Sequence, residues 1–174
     1  MVVTYDNILS DIDYNFINTE SLFEYSNHIN VKSNSKIWNS SVIEFSKEVQ
    51  ILQLDSNSKS YKIIKSLVDT LTSDDYIVSV LYHYWKPGTY IPWHNDKDYS
   101  GAITIYLNEK WDWKNGGIFQ YEINGNIISV IPNKNLGILQ KDGVWHSTTI
   151  VSKDSPMRRT VQIFLKEKPK NSII

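Results

Sequence analysis

The sequence predicts a mainly β protein with helices (α+β) whose core is a double-stranded β-helix, the jelly-roll or cupin-like barrel. Helical patterns are confined to about residues 1–74, and about eight short apolar runs separated by turns fill residues 75–168. Strands in this number after a helical segment are typical of a jelly roll with helices packed on one outer face. We expect a single domain over residues 1–174.

Composition and charge exclude several classes of function. With 174 residues, 41% of them hydrophobic, the chain is long enough for one well-filled core. A net charge of −1 provides no broad basic face, so we expect no nucleic-acid partner. The first residues lack a basic region followed by an apolar run, and no stretch approaches the length of a membrane span. We therefore expect a soluble intracellular (cytoplasmic) protein without a membrane partner, and the oligomeric state stays open.

Helices are predicted at two places before residue 75. Residues 1–30 look mainly helical, with Asn18 or Thr19 as a possible N-cap. A second helix is predicted over residues 60–73, because apolar side chains recur there at helical spacing on one face. That face carries Ile63, Ile64, Leu67, Val68 and Leu71.

Short strands are predicted on both sides of the second helix. Before it lie residues 41–45 and 49–54, followed by a polar loop at 55–60 that we expect to connect elements rather than to cover a site. After it, short apolar runs alternate with turns, of which Asn124-Gly125 is a tight-hairpin signal. The runs are YIVSVLYHYW, TYIPWHND, GAITIYLN, GGIFQYEI, NIISVIP, LGILQ, STTIV and TVQIFL.

Two of these runs have a polar face and an apolar face, because successive side chains of a strand point to opposite sides. A barrel whose interior holds a polar ligand and whose exterior packs under helices needs this division. In GAITIYLN, Ala102, Thr104 and Tyr106 share one face, and Ile103, Ile105 and Leu107 the other. In MRRTVQIFL, Arg158, Thr160, Gln162 and Phe164 share one face, and Arg159, Val161 and Ile163 the other.

A metal site is predicted around the segment WHND. In an extended strand His94 and Asp96 point into one space, whereas Asn95 points away. His146, from another strand, would complete two histidines and one carboxylate, the ligand set of non-haem Fe(II) oxygenases, which leaves three positions open for substrate and dioxygen. The chain has no cysteine, so thiolate ligands and a thiol nucleophile are excluded. A lone His-x-Asp is also the pattern of a surface histidine beside a solvated carboxylate.

Four segments together carry a family resemblance. They are YHYWKPGTYIPWHND, IYLNEKWDWKNGGIFQY, LGILQKDGVWHSTTIV and RRTVQIFL. In this order they resemble the 2-oxoglutarate and Fe(II)-dependent dioxygenases, and within them the prolyl 4-hydroxylase-like group. The resemblance covers roughly residues 80–166, about half of the chain.

The resemblance implies a role for each of several residues. His94, Asp96 and His146 would bind Fe(II). Arg158 would pair with the distal carboxylate of 2-oxoglutarate, and Thr160 would assist as a hydroxyl on the same face. The implied catalytic set is therefore His94, Asp96, His146 and Arg158, and the implied co-substrate contacts are Tyr84, Tyr106, Arg158 and Thr160.

Several of these assignments have alternatives. Arg159 is adjacent to Arg158, so the register could differ by one residue, although Thr160 shares its face with Arg158. Tyr84 and Tyr106 could be ordinary strand aromatics, and we expect His83 to be a packed or surface histidine.

The tryptophans near the predicted ligands divide into two pairs. Trp93 and Trp145 are expected outside the barrel, because their parity opposes that of the histidines beside them. The pair Trp111 and Trp113 is either a core plug or part of a substrate rim.

The functional expectation is a hydroxylase that consumes 2-oxoglutarate and O₂ and converts a substrate C–H bond to C–OH. Proline in a protein or peptide is the favoured substrate, as in peptidyl-proline (procollagen-type) 4-dioxygenases, and a free amino acid or other small molecule is the main rival. An ascorbate requirement stays open. A second hypothesis, from another class, is a jelly-roll metal-binding or sugar-binding module without oxidation. Arg158 separates the two, because such a module has no reason to keep a cation on the lining strand.

Overall fold

The computed structural model describes residues 1–27, 49–72, 76–141 and 143–168. Within these ranges it contains ten β-strands, two α-helices and one short 3-10 helix. In chain order these are β1 (Val2–Tyr5), α1 (Asp11–Asn27), β2 (Val49–Gln53), α2 (Lys59–Leu71), β3 (Tyr76–Trp85), β4 (Ile91–His94), β5 (Gly101–Tyr106), the 3-10 helix (Trp113–Asn115), β6 (Phe119–Ile123), β7 (Asn126–Val130), β8 (Gly137–Lys141), β9 (His146–Thr148) and β10 (Arg158–Glu167).

The strands form two antiparallel sheets. The larger has six strands in the order β1-β8-β5-β10-β3-β2, and the smaller has four in the order β4-β9-β6-β7. Eight strands follow α2, as the sequence predicts, and all of their pairings are antiparallel. The predicted Asn124-Gly125 hairpin joins β6 to β7, and both residues have the positive φ (+52° and +77°) that a tight hairpin turn requires.

The amino-terminal part differs from the prediction. Residues 2–5 are not helical: they form β1, which pairs with β8 at one edge of the larger sheet. The first helix begins at Asp11, so Asn18 and Thr19 lie inside it and the predicted cap is wrong. The hydroxyl of Ser10 instead accepts a hydrogen bond from the Asp13 N–H, which satisfies one of the free donors at the start of the helix.

The segments flanking α2 follow the prediction where they are described. The predicted strand at 49–54 is β2, while the predicted strand at 41–45 lies outside the described residues. The loop at 55–60 connects β2 to α2, and the side chain of Ser58 caps the helix by accepting from the Tyr61 N–H.

The predicted face of α2 packs against the sheet. Ile64 and Val68 are fully buried, and the other three residues of that face are partly buried against the same cluster. The cluster joins both helices to the apolar sides of β5 and β10: Tyr14, Ile17, Ile103, Ile105, Leu107, Val161 and Ile163. The polar faces of β5 and β10 consequently line the space between the two sheets, as their alternation predicts.

No helix among the described residues combines the length and the apolar character that crossing a bilayer requires.

Candidate metal centre

The three predicted metal ligands meet between the sheets. β4 pairs with β9 so that His94 lies directly opposite His146, and Asp96 follows two residues beyond the end of β4. Asp96 Oδ1 lies 3.7 Å from His94 Nε2, and Asp96 Oδ2 lies 3.6 Å from His146 Nε2. One nitrogen or oxygen atom from each residue lies within 4.8 Å of the others. The predicted cluster of two histidines and one carboxylate therefore exists in the structure.

Each imidazole is oriented by its own backbone. His94 Nδ1 lies 2.8 Å from the carbonyl oxygen of Pro92, and His146 Nδ1 lies 2.9 Å from that of Val144. A carbonyl oxygen only accepts, so each Nδ1 carries the proton and each Nε2 presents its lone pair on the side of Asp96. Burial, followed by the neighbouring His94, lowers the pKa of His146 and favours its neutral form. The donor set thus fits a divalent transition metal.

A small cavity connects this cluster to Arg158 of β10. Its wall is shared by both sheets, and polar and aromatic groups predominate. The lining includes His83, Trp85, His94, Asp96, Thr104, Phe119, Gln140, His146, Thr148, Arg158, Gln162 and Phe164.

The guanidinium of Arg158 is buried, and no carboxylate among the described residues forms an ion pair with it. The residue is 2% exposed, and its guanidinium carbon lies 4.6 Å from the centre of the Trp85 ring and 5.0 Å from that of Tyr106. Nη2 donates to the Tyr106 hydroxyl at 3.5 Å, whereas Nε and Nη1 have no hydrogen-bond partner in the part of the chain that the structure describes. Burial lowers the pKa of Arg158, but an arginine keeps its proton. A buried cation with free donors is costly unless an anion binds to it.

Gly117, in the Gly116-Gly117 turn before β6, makes room for Arg158. Its φ is +60°, and a Cβ at this position would lie 2.7 Å from Arg158 Cδ. Such a separation is far below an ordinary contact, so a glycine is needed here both for the backbone conformation and for the arginine.

The structure distinguishes the two neighbouring arginines. Arg158 lines the cavity, whereas Arg159 points to the opposite side, where its guanidinium donates to the carbonyl oxygen of Leu107 at 3.2 Å. Thr160 is fully buried opposite Tyr106 and His83 in the neighbouring strands, on the face of Arg158. Tyr106 is in contact with Arg158.

Tyr84 is not where the resemblance implied. Its hydroxyl donates to the carbonyl oxygen of Ser21 in α1 at 2.9 Å, on the helical side of the larger sheet, and the residue does not line the cavity. The cavity face of β3 is carried by Trp85 and His83 because Arg158 pairs with Trp85 across the strands. His83 is buried, which agrees with the expectation of a packed histidine. It also lines the cavity, where burial and the nearby Arg158 lower its pKa to about 3.

Gln140 is a cavity residue that the sequence did not single out. Its side-chain nitrogen lies 3.2 Å from Asp96 Oδ2 and 3.2 Å from His146 Nε2. The signal in the sequence is faint, because one glutamine at the end of the run LGILQ is equally typical of a strand that reaches solvent.

Two of the four tryptophans near the cluster were predicted to point away from the neighbouring histidines. Trp93 and Trp145, each next to a histidine ligand candidate, are 40% and 50% exposed. The Trp111 and Trp113 pair divides: Trp111 is buried and donates its indole N–H to the carbonyl oxygen of Gly116, whereas Trp113 is 62% exposed.

Comparison with known proteins identifies the fold. No family model and no curated protein sequence matches the chain. Among solved structures, a prolyl hydroxylase from Trichoplax adhaerens, in complex with a hypoxia inducible factor oxygen degradation domain peptide fragment, matches with a TM-score of 0.78 and 14% identity, over 95% of this chain and 83% of that one.

Two bacterial structures match over similar shares. A Pseudomonas putida prolyl-4-hydroxylase has a TM-score of 0.72 and 14% identity, over 96% of this chain and 92% of that one. An oxidoreductase of the 2OG-Fe(II) oxygenase family from Burkholderia pseudomallei has a TM-score of 0.68 and 14% identity, over 95% and 84%. The chain therefore has the fold of prolyl hydroxylases and 2-oxoglutarate/Fe(II) oxygenases, as the resemblance of its motifs predicted.

Proposed function

We propose that this chain is a 2-oxoglutarate and Fe(II)-dependent oxygenase that hydroxylates a C–H bond. The observation that carries the proposal is the buried guanidinium of Arg158, which no described residue neutralises, in the same cavity as the cluster of His94, Asp96 and His146. A keto diacid needs a metal at one end and a cation at the other. A module that binds only a metal or a sugar gains nothing from a buried cation without a partner.

The metal would be held by His94, Asp96 and His146. Two imidazole nitrogens and a carboxylate suit ferrous iron and leave three coordination positions for ligands from outside the chain. When bound, ferrous iron would supply the redox chemistry by which 2-oxoglutarate and O₂ become succinate and CO₂ while a substrate C–H becomes C–OH. The residues of the chain would bind and orient the reactants and exclude water.

The distal carboxylate of 2-oxoglutarate would bind to Arg158. The guanidinium offers a planar fork of N–H donors that matches a carboxylate, and among the described residues its Nε and Nη1 have no hydrogen-bond partner. The rings of Trp85 and Tyr106 lie over the fork and fix its plane. The Tyr106 hydroxyl and the buried Thr160 hydroxyl would complete the polar end of this pocket.

The charge balance of the cavity favours one anion at this end. His83, whose pKa is lowered to about 3, is neutral at physiological pH and adds no second positive charge beside Arg158. One guanidinium would therefore match one carboxylate, while the metal and its own ligands would take the other end of the diacid.

The proposal also includes the topology of the strands, which we take to be a double-stranded β-helix. From β3 onward the chain alternates between the two sheets except at the β6-β7 hairpin, with β3, β5, β8 and β10 in the larger one and β4, β6, β7 and β9 in the smaller one. Such alternation is what a double-stranded β-helix requires. We take residues 75–168 as this core within a single domain over residues 1–174.

The proposed substrate is proline in a protein or peptide. Two of the structures that share the fold are named as prolyl hydroxylases, and one of them is a complex with a peptide fragment. A free amino acid or another small molecule is the second candidate, because fold alone does not fix a substrate.

Two measurements test the proposal in sequence. Fe(II) and 2-oxoglutarate, added together without oxygen, should give the weak visible charge-transfer band of the chelate. With oxygen, and with ascorbate present and absent, succinate release should rise with proline-rich peptides more than with free proline. A protein that binds the metal without the band would be the binding module, and turnover with free proline alone would overturn the choice of a peptide substrate.

A further inference from the structure

The carboxylate of Asp96 needs a support that the two histidines already have. Asp96 lies beyond the end of β4, and its side chain is 13% exposed. His94 and His146 are each held by a backbone carbonyl two residues earlier. Within the described part of the chain, the hydrogen bond to the carboxylate of Asp96 comes from Gln140, whose side-chain nitrogen lies 3.2 Å from Oδ2.

We propose that Gln140 is a positioning residue for the metal centre: its amide holds one oxygen of Asp96 and so presents the other to the metal. The inference rests on the proposed function, because it requires that His94, Asp96 and His146 bind a metal. Hydrogen bonds to ligating side chains fix their orientation and raise metal affinity in known sites.

The orientation of the Gln140 amide follows from its neighbours. Asp96 Oδ2 accepts, and His146 Nε2 also accepts because the proton of that ring is on Nδ1. Two acceptors 3.2 Å away assign the nitrogen of the amide, rather than its oxygen, to this end. A metal would take the lone pair of His146, so the bond to Asp96 is the one that a bound metal preserves.

Gln140 is a firm anchor for this purpose. It is 7% exposed and lies in β8, where it pairs with Val2 of β1 on one side and with Ala102 of β5 on the other. An amide is also electrically neutral. A lysine at this place would repel the metal, and a glutamate would repel Asp96.

The test compares substitutions at two cavity glutamines. Gln140→Met keeps the length of the side chain but removes its donors, and Gln140→Asn keeps an amide but shortens it. Gln162→Met is the matched control, because Gln162 lines the same cavity and its amide oxygen accepts from Thr104 instead. Cobalt(II) is the probe: calorimetry gives its dissociation constant, and the visible ligand-field spectrum reports its coordination.

We expect either Gln140 variant to weaken cobalt(II) binding by about 10–100-fold and to alter the spectrum. The Gln162 variant should keep the affinity and the spectrum of the wild type. A folded Gln140 variant with unchanged affinity and spectrum overturns the positioning role and leaves the proposed function standing. A wild-type protein that does not bind cobalt(II) overturns the metal centre itself, and the inference with it.

Discussion

At the scale of the residue, Arg158 stands out because burying its positive charge costs free energy. Its charge is buried close to two aromatic rings, and two of its nitrogens have no hydrogen-bond partner among the described residues. The free energy that a bound carboxylate recovers here is larger than it would be in water, because the pair forms at low dielectric. Arg158 should therefore govern the affinity for the diacid, while the metal ligands govern the affinity for the metal.

Arg158→Met should weaken 2-oxoglutarate binding by about 2–5 kcal/mol, because it removes one partner of a buried charge pair. Cobalt(II) affinity should change far less, since Arg158 is not among the three clustered donor residues. Calorimetric titrations of the metal, and then of 2-oxoglutarate into the metal-loaded protein, measure both.

Arg159→Met is the control for that experiment. Arg159 is buried on the opposite face of β10, so its loss should reduce stability without affecting 2-oxoglutarate. If the Arg159 variant lost 2-oxoglutarate and the Arg158 variant kept it, the assignment of the cation would be wrong.

His83 should make the protein less stable in mild acid. Its pKa is about 3 in the folded chain and near the ordinary value of 6.5 when unfolded, so the unfolded state binds the extra proton first as the pH falls. The contribution of His83 to the free energy of unfolding is fully present above pH 6.5. It should fall by at most about 1.4 kcal/mol per pH unit from there toward pH 3. Urea unfolding of the wild type and of His83→Met between pH 7 and pH 5 isolates this contribution. Parallel curves for the two proteins would contradict it.

At the scale of the element, β10 divides the molecule into site and core. Arg158 and Gln162 face the cavity, while Val161 and Ile163 pack with the helices. Alternation along the strand was enough to predict this division, because both faces of β10 carry distinctive residues. It was not enough for β3, where Tyr84 and Trp85 are both large aromatics and only the pairing of Trp85 with Arg158 decides which one faces the cavity.

The elements that the sequence missed depend on distant partners. β1 has four residues of strand-favouring types, VVTY, but a run this short depends on its pairing with β8, more than 130 positions later. Gln140 was missed for a similar reason. Its importance comes from Asp96 and His146, which only the folded sheets bring to it. The clustering of His94, Asp96 and His146 was predictable, because residues of these types in this pattern are chemically specific.

Gly117→Ala should impair the site through the turn before β6. The added methyl would press on Arg158 Cδ, 2.7 Å away, and the residue would also keep an unfavourable positive φ. We expect a loss of stability of about 1–2 kcal/mol together with weaker 2-oxoglutarate binding.

Gly125→Ala is its matched control, because Gly125 also has a positive φ but an added Cβ there meets nothing within 4 Å. It should lose similar stability and keep its affinity for 2-oxoglutarate. Equal losses of affinity in the two variants would contradict the contact with Arg158. Chemical unfolding and calorimetry provide the two quantities.

At the scale of the whole molecule, the chain shares its fold with proteins whose sequences differ from it at most positions. The chain matches the Pseudomonas putida structure over 96% of its length at 14% identity. Many hydrophobic sequences satisfy the same sheet packing, so identity decays while the architecture stays. What the chain does is decided by the few side chains between its sheets.

Metal binding should stabilise the entire fold, because the three donors come from β4, the segment after it, and β9. At a cobalt(II) concentration of about 100 times the dissociation constant, the gain is about 2.7 kcal/mol, or about 5–10 °C in Tm for a domain of this size. His94→Ala should abolish the shift, and a chelator should reverse it in the wild type. Scanning calorimetry would contradict the site if the variant were stabilised as much as the wild type.

The carbonyl contacts of Pro92 and Val144 have a consequence for metal choice. They hold both imidazoles in the tautomer whose Nε2 lone pair can bind an ion, so in the proposed metal centre the two histidines would be set before the ion binds. Divalent ions compete for such a receptor in the Irving–Williams order, in which nickel, copper and zinc all exceed ferrous iron. Cellular iron supply, and not discrimination by the protein, would then determine what fraction of the molecules is active, and trace zinc would act as an inhibitor.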